Sequence, residues 1–406
     1  MAKNKILISL VSDQTIPNVQ LIKEYGDEDT DYLFVSTPGM EKKGCRKWIE
    51  KCCNISDAQF VNVSNQFSYE EVQQKLATID FDIYEKIIVN ITGGTKIMSV
   101  AASDFFKEIG AEIFYVTGIN QEYIRTFPKK KSMDFKLGQS VSLSEYLYAY
   151  GFEFNPTEQS GISFEQSEII FNNYSSLNIN EYVEEFAVLR SKRGKTLVAN
   201  DYPKVRRFIE AIDYTPQKEG ELSKIETKYL TGEWFEEYVG GRIKKELSLS
   251  DNNILIGTII TKNASIPQNS ITTLLGIEDN RDVENTNEMD VIFMHQNQFY
   301  AIECKTSIVD YRSIETTNGL IRKPYNILGE TIYKLDSLKS RFGLFAKASI
   351  VTLTNFKDYV IDNDSNKQNN KIREMKSLIE RADLSRIKLV DNSLLRTSES
   401  LINLLK

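Results

Sequence analysis

The chain of 406 residues holds one histidine, His295. It falls in the turn of an expected hairpin, which argues against Ser-His-Asp, Cys-His and histidine-based ribonuclease chemistry, since each needs a positioned imidazole. Cysteine is also scarce. Cys45, Cys52, Cys53 and Cys304 show no metal-ligand spacing, the adjacent Cys52–Cys53 pair reads as structural, and a reduced, cytoplasmic setting is expected. No apolar run is long enough to span a bilayer, and the first residues lack a signal-peptide pattern, so no membrane partner is expected. Positive charge is in deficit: the net charge is −7, which excludes a general basic nucleic-acid coat and leaves only local or metal-assisted contact. Internal repeats and low-complexity tracts are missing. The length exceeds one ordinary core, so two or three domains are expected.

The most organised stretch runs from Glu288 to Lys305. It reads as two apolar strands, Asp290 to Met294 and Phe299 to Cys304, around a polar turn at Gln296 and Asn297. A turn centred between those two residues sets Asp290 opposite Glu303. Alternation puts Asp290, Glu303 and Lys305 on one face and Cys304 on the other. Opposed residues have Cβ atoms about 5 Å apart, and two like charges so close destabilise a hairpin unless a cation lies between them. A divalent ion, with Lys305 as a further positive charge, is the expected partner. The alternative is an ordinary exposed hairpin with a cross-strand lysine pair. Glu374-Met375-Lys376 repeats the Glu-X-Lys letters without a strand or a paired Asp.

Thr231 to Leu247 has helical spacing, with Thr231 as the expected cap. Phe235, Val239, Ile243 and Leu247 form one apolar face. Glu236 falls on that face, whereas Glu237 lies on the far side with Lys244 and Glu233. A carboxylate facing a core needs a partner or a metal, which selects Glu236 as a third acidic group.

Asp290 at one strand, Glu303-Cys304-Lys305 ending the next, and a glutamate on a preceding helix together resemble the PD-(D/E)XK nuclease core. The resemblance implies Mg²⁺ or Mn²⁺ held by Asp290, Glu303, the Cys304 carbonyl and Glu236. It also implies Lys305 beside the attacking water.

The first third alternates strand and helix. Lys5 to Val11, Tyr32 to Ser36, Phe60 to Val63, Lys86 to Ile91 and Glu112 to Thr117 read as strands, with helices between them. That pattern predicts a parallel sheet covered on both faces, which binds ligands at the C-terminal ends of its strands. The loops there are Ser12 to Asn18, Ser36-Thr37 and Asn90 to Lys96. In Thr92-Gly93-Gly94-Thr95-Lys96 the glycines admit close approach to an oxyanion, Thr95 adds a hydroxyl and Lys96 a charge at a helix start. The spacing is neither a P-loop nor a dinucleotide fingerprint.

Asn90 to Ser99, with Ser12 to Asn18, resembles the CRISPR-associated Rossmann-fold (CARF) sensor domains. The resemblance implies a homodimer that places a cyclic oligoadenylate across its two-fold axis. Ser12, Asp13, Gln14, Pro17, Asn18, Ser36, Thr37, Thr92, Gly93, Gly94, Thr95, Lys96 and Met98 are then the expected contacts. The order of modules resembles the ancillary nucleases of type III CRISPR immunity. The expected α/β architecture is a Rossmann-like CARF domain at 1–138, a partly helical connector at 139–225 and a restriction-endonuclease-like domain at 226–406. Tyr146, Tyr148 and Tyr150 are candidates to pack between domains. The basic runs Lys129–Lys131, Arg190–Lys195 and Lys204–Arg207 read as solvated. Gly329 to Phe342 reads as a helix, Ala348 to Thr354 as a strand and Asp362 to Asn370 as a loop.

The function this implies is a cyclic tetra-adenylate-activated, divalent-metal-dependent nuclease. Its substrate is single-stranded RNA or DNA, or duplex DNA that it nicks. The alternatives are a nucleotide-sensing transcriptional regulator and a constitutive restriction-type endonuclease with a dimerising N-terminal domain.

Overall fold

The computed structural model describes residues 4–118, 121–129, 134–156, 164–173, 185, 197–198, 202–262, 285–316 and 319–406. The run Arg190–Lys195, Lys130–Lys131 and most of the helix expected from Glu181 to Arg193 lie outside the described residues.

The N-terminal sheet has seven strands in the order β3-β2-β1-β4-β5-β6-β7. β1 (Lys5–Leu10), β2 (Thr30–Ser36), β3 (Gln59–Asn62), β4 (Lys86–Asn90) and β5 (Glu112–Val116) run parallel. Ile6, Leu7, Ile8, Ile88 and Val89 are all buried, as the continuous apolar runs require of strands covered on both faces. β6 (Glu122–Phe127) and β7 (Asp134–Lys136) add an antiparallel edge that the alternating pattern did not predict. The chain winds outward from β1 through β2 to β3, then returns to the other side of β1 with β4. The switch point therefore lies between β1 and β4, beside both candidate loops.

The C-terminal sheet has the order β17-β16-β13-β12-β11-β8. Its strands are β8 (Phe152–Pro156), β11 (Ile254–Lys262), β12 (Asn285–His295), β13 (Gln298–Lys305), β16 (Lys347–Thr352) and β17 (Ile387–Val390). Two-residue β9 (Leu197–Val198) and β10 (Glu221–Leu222) pair with each other, as do β14 (Val309–Thr316) and β15 (Gly319–Asn326). β12 and β13 form the expected hairpin, registered Val291 to Ile302 and His295 to Gln298. Gln296 and Asn297 both have positive φ, 53° and 56°, the signature of a two-residue turn matched to strand twist. His295 ends the strand before this turn and is not in it.

Three readings need correction. Thr231 does not cap a helix: it sits in a π-helical turn, Tyr229–Glu233, and its hydroxyl donates to the Thr227 carbonyl. The helix begins at Lys224, where Ser223 and Glu226 make a reciprocal capping box, and continues through the π turn into Trp234–Leu247. A boundary at 226 would cut this box. Asp362 to Asn370 is not all loop. Asp364 accepts the N–H groups of Asn366 and Lys367 and starts the helix Ser365–Leu384, whose polar first turn stands in solvent.

The segment assigned to a connector belongs to both halves. Ser142 and Glu145 cap the helix Leu143–Ala149, and β8 pairs with β11 at the edge of the second sheet. Tyr146 stacks on Phe299 at 4.9 Å and donates to the Phe342 carbonyl at 2.6 Å. Tyr150 packs beside it, while Tyr148 turns toward Phe154 and Lys51. One apolar cluster runs from Leu7 and Phe34 through Tyr146 to Phe299, Ile332 and Leu335.

Candidate active site and sensor loops

Glu303 lies near the end of β13 with its side chain almost sealed from solvent, and Asp290 faces it from β12. Asp290 Oδ2 accepts the Cys304 N–H at 2.6 Å, so the two strands are joined at this point by a side chain. Cys304 points to the opposite face, into the cluster with Phe235 and Val239, as alternation requires. Lys305 Nζ lies 2.8 Å from Glu303 Oε1, 3.3 Å from the Cys304 carbonyl and 3.7 Å from Asp290 Oδ2. Three oxygens of the two strands thus converge on one positive centre.

The electrostatics follow from that crowding. Burial and the facing Glu303 push the Asp290 carboxyl up to about 6. Burial opposes the charge on Glu303, but Lys305 and Lys334 beside it hold its carboxyl below the usual range. Burial would discharge Lys305, and Asp290 and Glu303 outweigh it, raising the ammonium. Glu236 is pushed up to about 9 by burial and by Asp290, with Glu233 and Glu288 adding to the effect. The reach is set by Gly240, one turn on. A Cβ there would lie 2.5 Å from Ile256, so its absence lets the helix settle on the sheet with Glu236 toward Asp290. Glu237 accepts from the Tyr229 hydroxyl at 2.7 Å, away from the pair.

The donor set fits a hard cation, because the groups converging on Lys305 Nζ are all oxygens. Among the described residues no three His, Cys, Asp or Glu side chains gather closely enough to hold an ion by themselves. Any ion here would need the Cys304 carbonyl with Asp290 and Glu303. Glu236 stands beside that pair and does not form a three-carboxylate cluster with it.

At the switch point of the first sheet, the loop after β4 lies directly on the end of β1. A Cβ on Gly93 would meet the Leu10 carbonyl oxygen at 2.1 Å, and Gly94 adopts φ +72°. Asn90 donates to the Pro17 carbonyl and to Asn18 Oδ1, and Asn18 donates to the Leu10 carbonyl. Thr92 donates to Asn90 and accepts from Val116 N–H. Thr95 caps the helix Lys96–Glu108 and donates to the Gln66 carbonyl.

The expected contacts therefore divide. Pro17, Asn18, Ser36, Thr37, Gly93 and Met98 are buried; Asn18 and Met98 build the loops from within, and Thr37 caps the helix Pro38–Lys43. Ser12, Asp13, Gln14, Thr92, Gly94, Thr95 and Lys96 reach the surface. Asp13 pairs with Lys43 at 2.8 Å. Lys96 stands exposed at a helix N-terminus, where the helix dipole disfavours a cation.

Two families of known proteins match these two units. The Card1 CARF domain matches residues 6–146, and the Card1-like endonuclease domain matches residues 223–392. The chain thus joins a Card1-type CARF domain to a Card1-like endonuclease domain. Among solved structures, Can2 from Sulfobacillus thermosulfidooxidans, in complex with cyclic tetra-adenylate, aligns with TM-score 0.68 at 18% identity, over 99% of each chain. Protein VC1899 from Vibrio cholerae aligns with TM-score 0.67 at 15% identity, over 97% of this chain and 95% of that one. A type III CRISPR defence DNA nuclease activated by cyclic oligoadenylate aligns with TM-score 0.51 at 16% identity, over 86% of this chain and 45% of the other. At these identities the likeness is one of fold. No curated protein matches the chain by sequence.

Within the Card1-like endonuclease domain, motif reading missed one residue. Lys334, on the helix Leu328–Lys339, places Nζ 2.9 Å from Glu303 Oε1. Its signal was in the sequence: a charged residue on the edge of the stripe formed by Leu328, Thr331, Leu335 and Leu338. The same reasoning had selected Glu236.

Proposed function

We propose that this chain is a cyclic tetra-adenylate-activated, divalent-metal-dependent endonuclease of type III CRISPR defence, acting as a homodimer. The observation that carries the reading is the convergence of Asp290, Glu303 and the Cys304 carbonyl on one cationic point at the strand ends. Asp290, Glu303 and that carbonyl would hold Mg²⁺ or Mn²⁺. The ion supplies an acidified water and a polarised phosphate. Lys305 orients the water and stabilises charge developing on the phosphate. Glu236 keeps its proton near neutral pH while no cation is bound, so its contribution to cation binding is coupled to proton release.

The sensor reading is supported by Lys96 at its helix start and by the glycine loop at the switch point, a setting suited to phosphate. Phe67 is 69% exposed, with Ile97 and Val100 also open beside Lys96. Such an apolar patch next to the loop suits a second copy of the chain, and two copies would present two Lys96 ammoniums to one ring.

The test is cleavage of labelled single-stranded RNA, single-stranded DNA and duplex DNA, with and without cyclic tetra-adenylate, in Mg²⁺ and in Mn²⁺. Cleavage that needs both nucleotide and metal is the expected result. Nucleotide-independent cleavage would select the constitutive nuclease, and binding without cleavage the regulator.

A further inference from the structure

The acidic pair is served by two lysines that are not equivalent. Lys305 is enclosed by Asp290, Glu303 and the Cys304 carbonyl. Lys334 approaches the same Glu303 carboxylate from outside, with Nζ 2.9 Å from Oε1 and 3.3 Å from Oε2. Its side chain is 46% exposed, against 3% for Glu303. A half-exposed ion pair is screened and adds little stability, and Glu303 already has Lys305. An ammonium also carries three donors, and among the described residues the contacts of Lys334 reach a single carboxylate.

The site poses a problem that this second lysine answers. A phosphodiester must come close to two carboxylates in a chain of net charge −7, so local positive charge must draw it in. Lys305 is committed to the inner side of the pair. Lys334 reaches the pair through a side chain that is itself half-exposed, with its ammonium at hydrogen-bond distance from Glu303. The helix that carries it rests on Leu328, Ile332, Leu335 and Leu338, all buried, so the position of the lysine is fixed by packing.

We propose that Lys334 contacts a non-bridging phosphate oxygen of the bound nucleic-acid strand at the acidic pair. It is a substrate-binding cation of the site, beyond its pairing with Glu303. The inference rests on the nuclease reading above. The ammonium has three donors and pairs with the one Glu303 carboxylate, so it can serve a phosphate while that pairing stands.

The experiment uses the full chain with cyclic tetra-adenylate. Binding of fluorescein-labelled single-stranded RNA, single-stranded DNA and duplex DNA is measured by anisotropy in EDTA, where cleavage is not expected, over a range of salt. Mn²⁺ binding is measured separately by electron paramagnetic resonance. Lys334→Ala and Lys334→Gln should weaken strand binding about tenfold and reduce the salt slope by about one phosphate. Lys334→Arg should restore most of both, and Mn²⁺ affinity should be unchanged or higher. Unchanged strand binding with weakened Mn²⁺ binding would overturn the proposal and leave Lys334 as a positioning residue for Glu303. Unchanged values for both would overturn it as well. Failure of the wild-type protein to bind or cleave any strand would remove the nuclease reading itself, an outcome separate from the behaviour of the variants.

Discussion

Gln14 Oε1 accepts the backbone N–H of Leu344 at 2.9 Å and the Tyr150 hydroxyl at 3.2 Å. The loop after β1 thus touches the segment between the helix bearing Lys334 and β16, the strand paired with β13. Gly343 permits this approach: it has φ +95°, and a Cβ there would lie 2.1 Å from the Tyr150 hydroxyl. Gln14→Ala is expected to lower nuclease activity at saturating cyclic tetra-adenylate several-fold while changing activator affinity less. Calorimetric titration beside a cleavage assay checks this. A variant with full activity at saturation would show that this contact carries no signal.

Lys96→Ala should behave in the opposite way. A charged hydrogen bond contributes roughly 1.5–3 kcal/mol, and a dimer would lose two. Affinity should fall by orders of magnitude, with activity recovered at excess activator because Asp290, Glu303 and Lys305 are untouched. Persistent inactivity at saturation with normal binding would refute the binding role.

Gly93→Ala tests the close approach of the sensor loop. The added methyl would press on the Leu10 carbonyl, which belongs to the backbone and cannot swing aside. Overpacking of this kind destabilises by about 1–3 kcal/mol. A lower Tm and loss of activator binding are expected; an unchanged melt with unchanged binding contradicts the geometry.

Asp290→Asn and Glu303→Gln should each abolish cleavage, by at least about a hundredfold, and leave activator binding intact. Cleavage by either variant at near wild-type rate in the same assay would remove the pair from the catalytic site.

Glu236→Gln should reduce cleavage far more than Glu237→Gln, and it should also change the pH dependence of stability. An unfolded Glu titrates near about 4.3, and burial raises Glu236 to about 9 in the folded chain. The folded state therefore holds the proton more tightly. The contribution is complete below the unfolded value and is lost as pH rises through the folded one. In EDTA, wild-type stability should fall across that window, and the Gln variant should fall less. Urea titrations at several pH values decide it, and parallel slopes would show that Glu236 does not hold the proton.

Much of this was legible because period and register are local. Counting from the Gln296–Asn297 turn set Asp290 opposite Glu303; the ladder runs as far as Val291 to Ile302, one residue short of that position, and Asp290 then accepts the Cys304 N–H. Helical spacing separated Glu236 from Glu237 for the same reason. What stayed hidden depends on distant chain. Thr231 resembled a cap because local letters do not reveal a π turn that keeps a helix running. Lys334 could not be joined to Glu303 without the fold that lays its helix across β13. That Asn18 and Met98 are buried beneath the loops was likewise hidden, because a motif does not state which side chains support a loop from below.

The apolar cluster shared by the two halves also bears on how such chains are rearranged. The hairpin tip is held across the boundary, since Asn297 Oδ1 accepts the Val141 N–H at 2.7 Å, and β8 closes one edge of the second sheet from a segment that precedes residue 157. A recombination event at residue 138 would keep both motifs yet require the incoming sensor to match Tyr146, Tyr150 and β8. One between residues 156 and 223 would strip an edge strand from the nuclease and bare Phe299 and Phe342. New sensor–effector pairings in this lineage should therefore arise by co-evolution along the seam more readily than by exchange of whole modules.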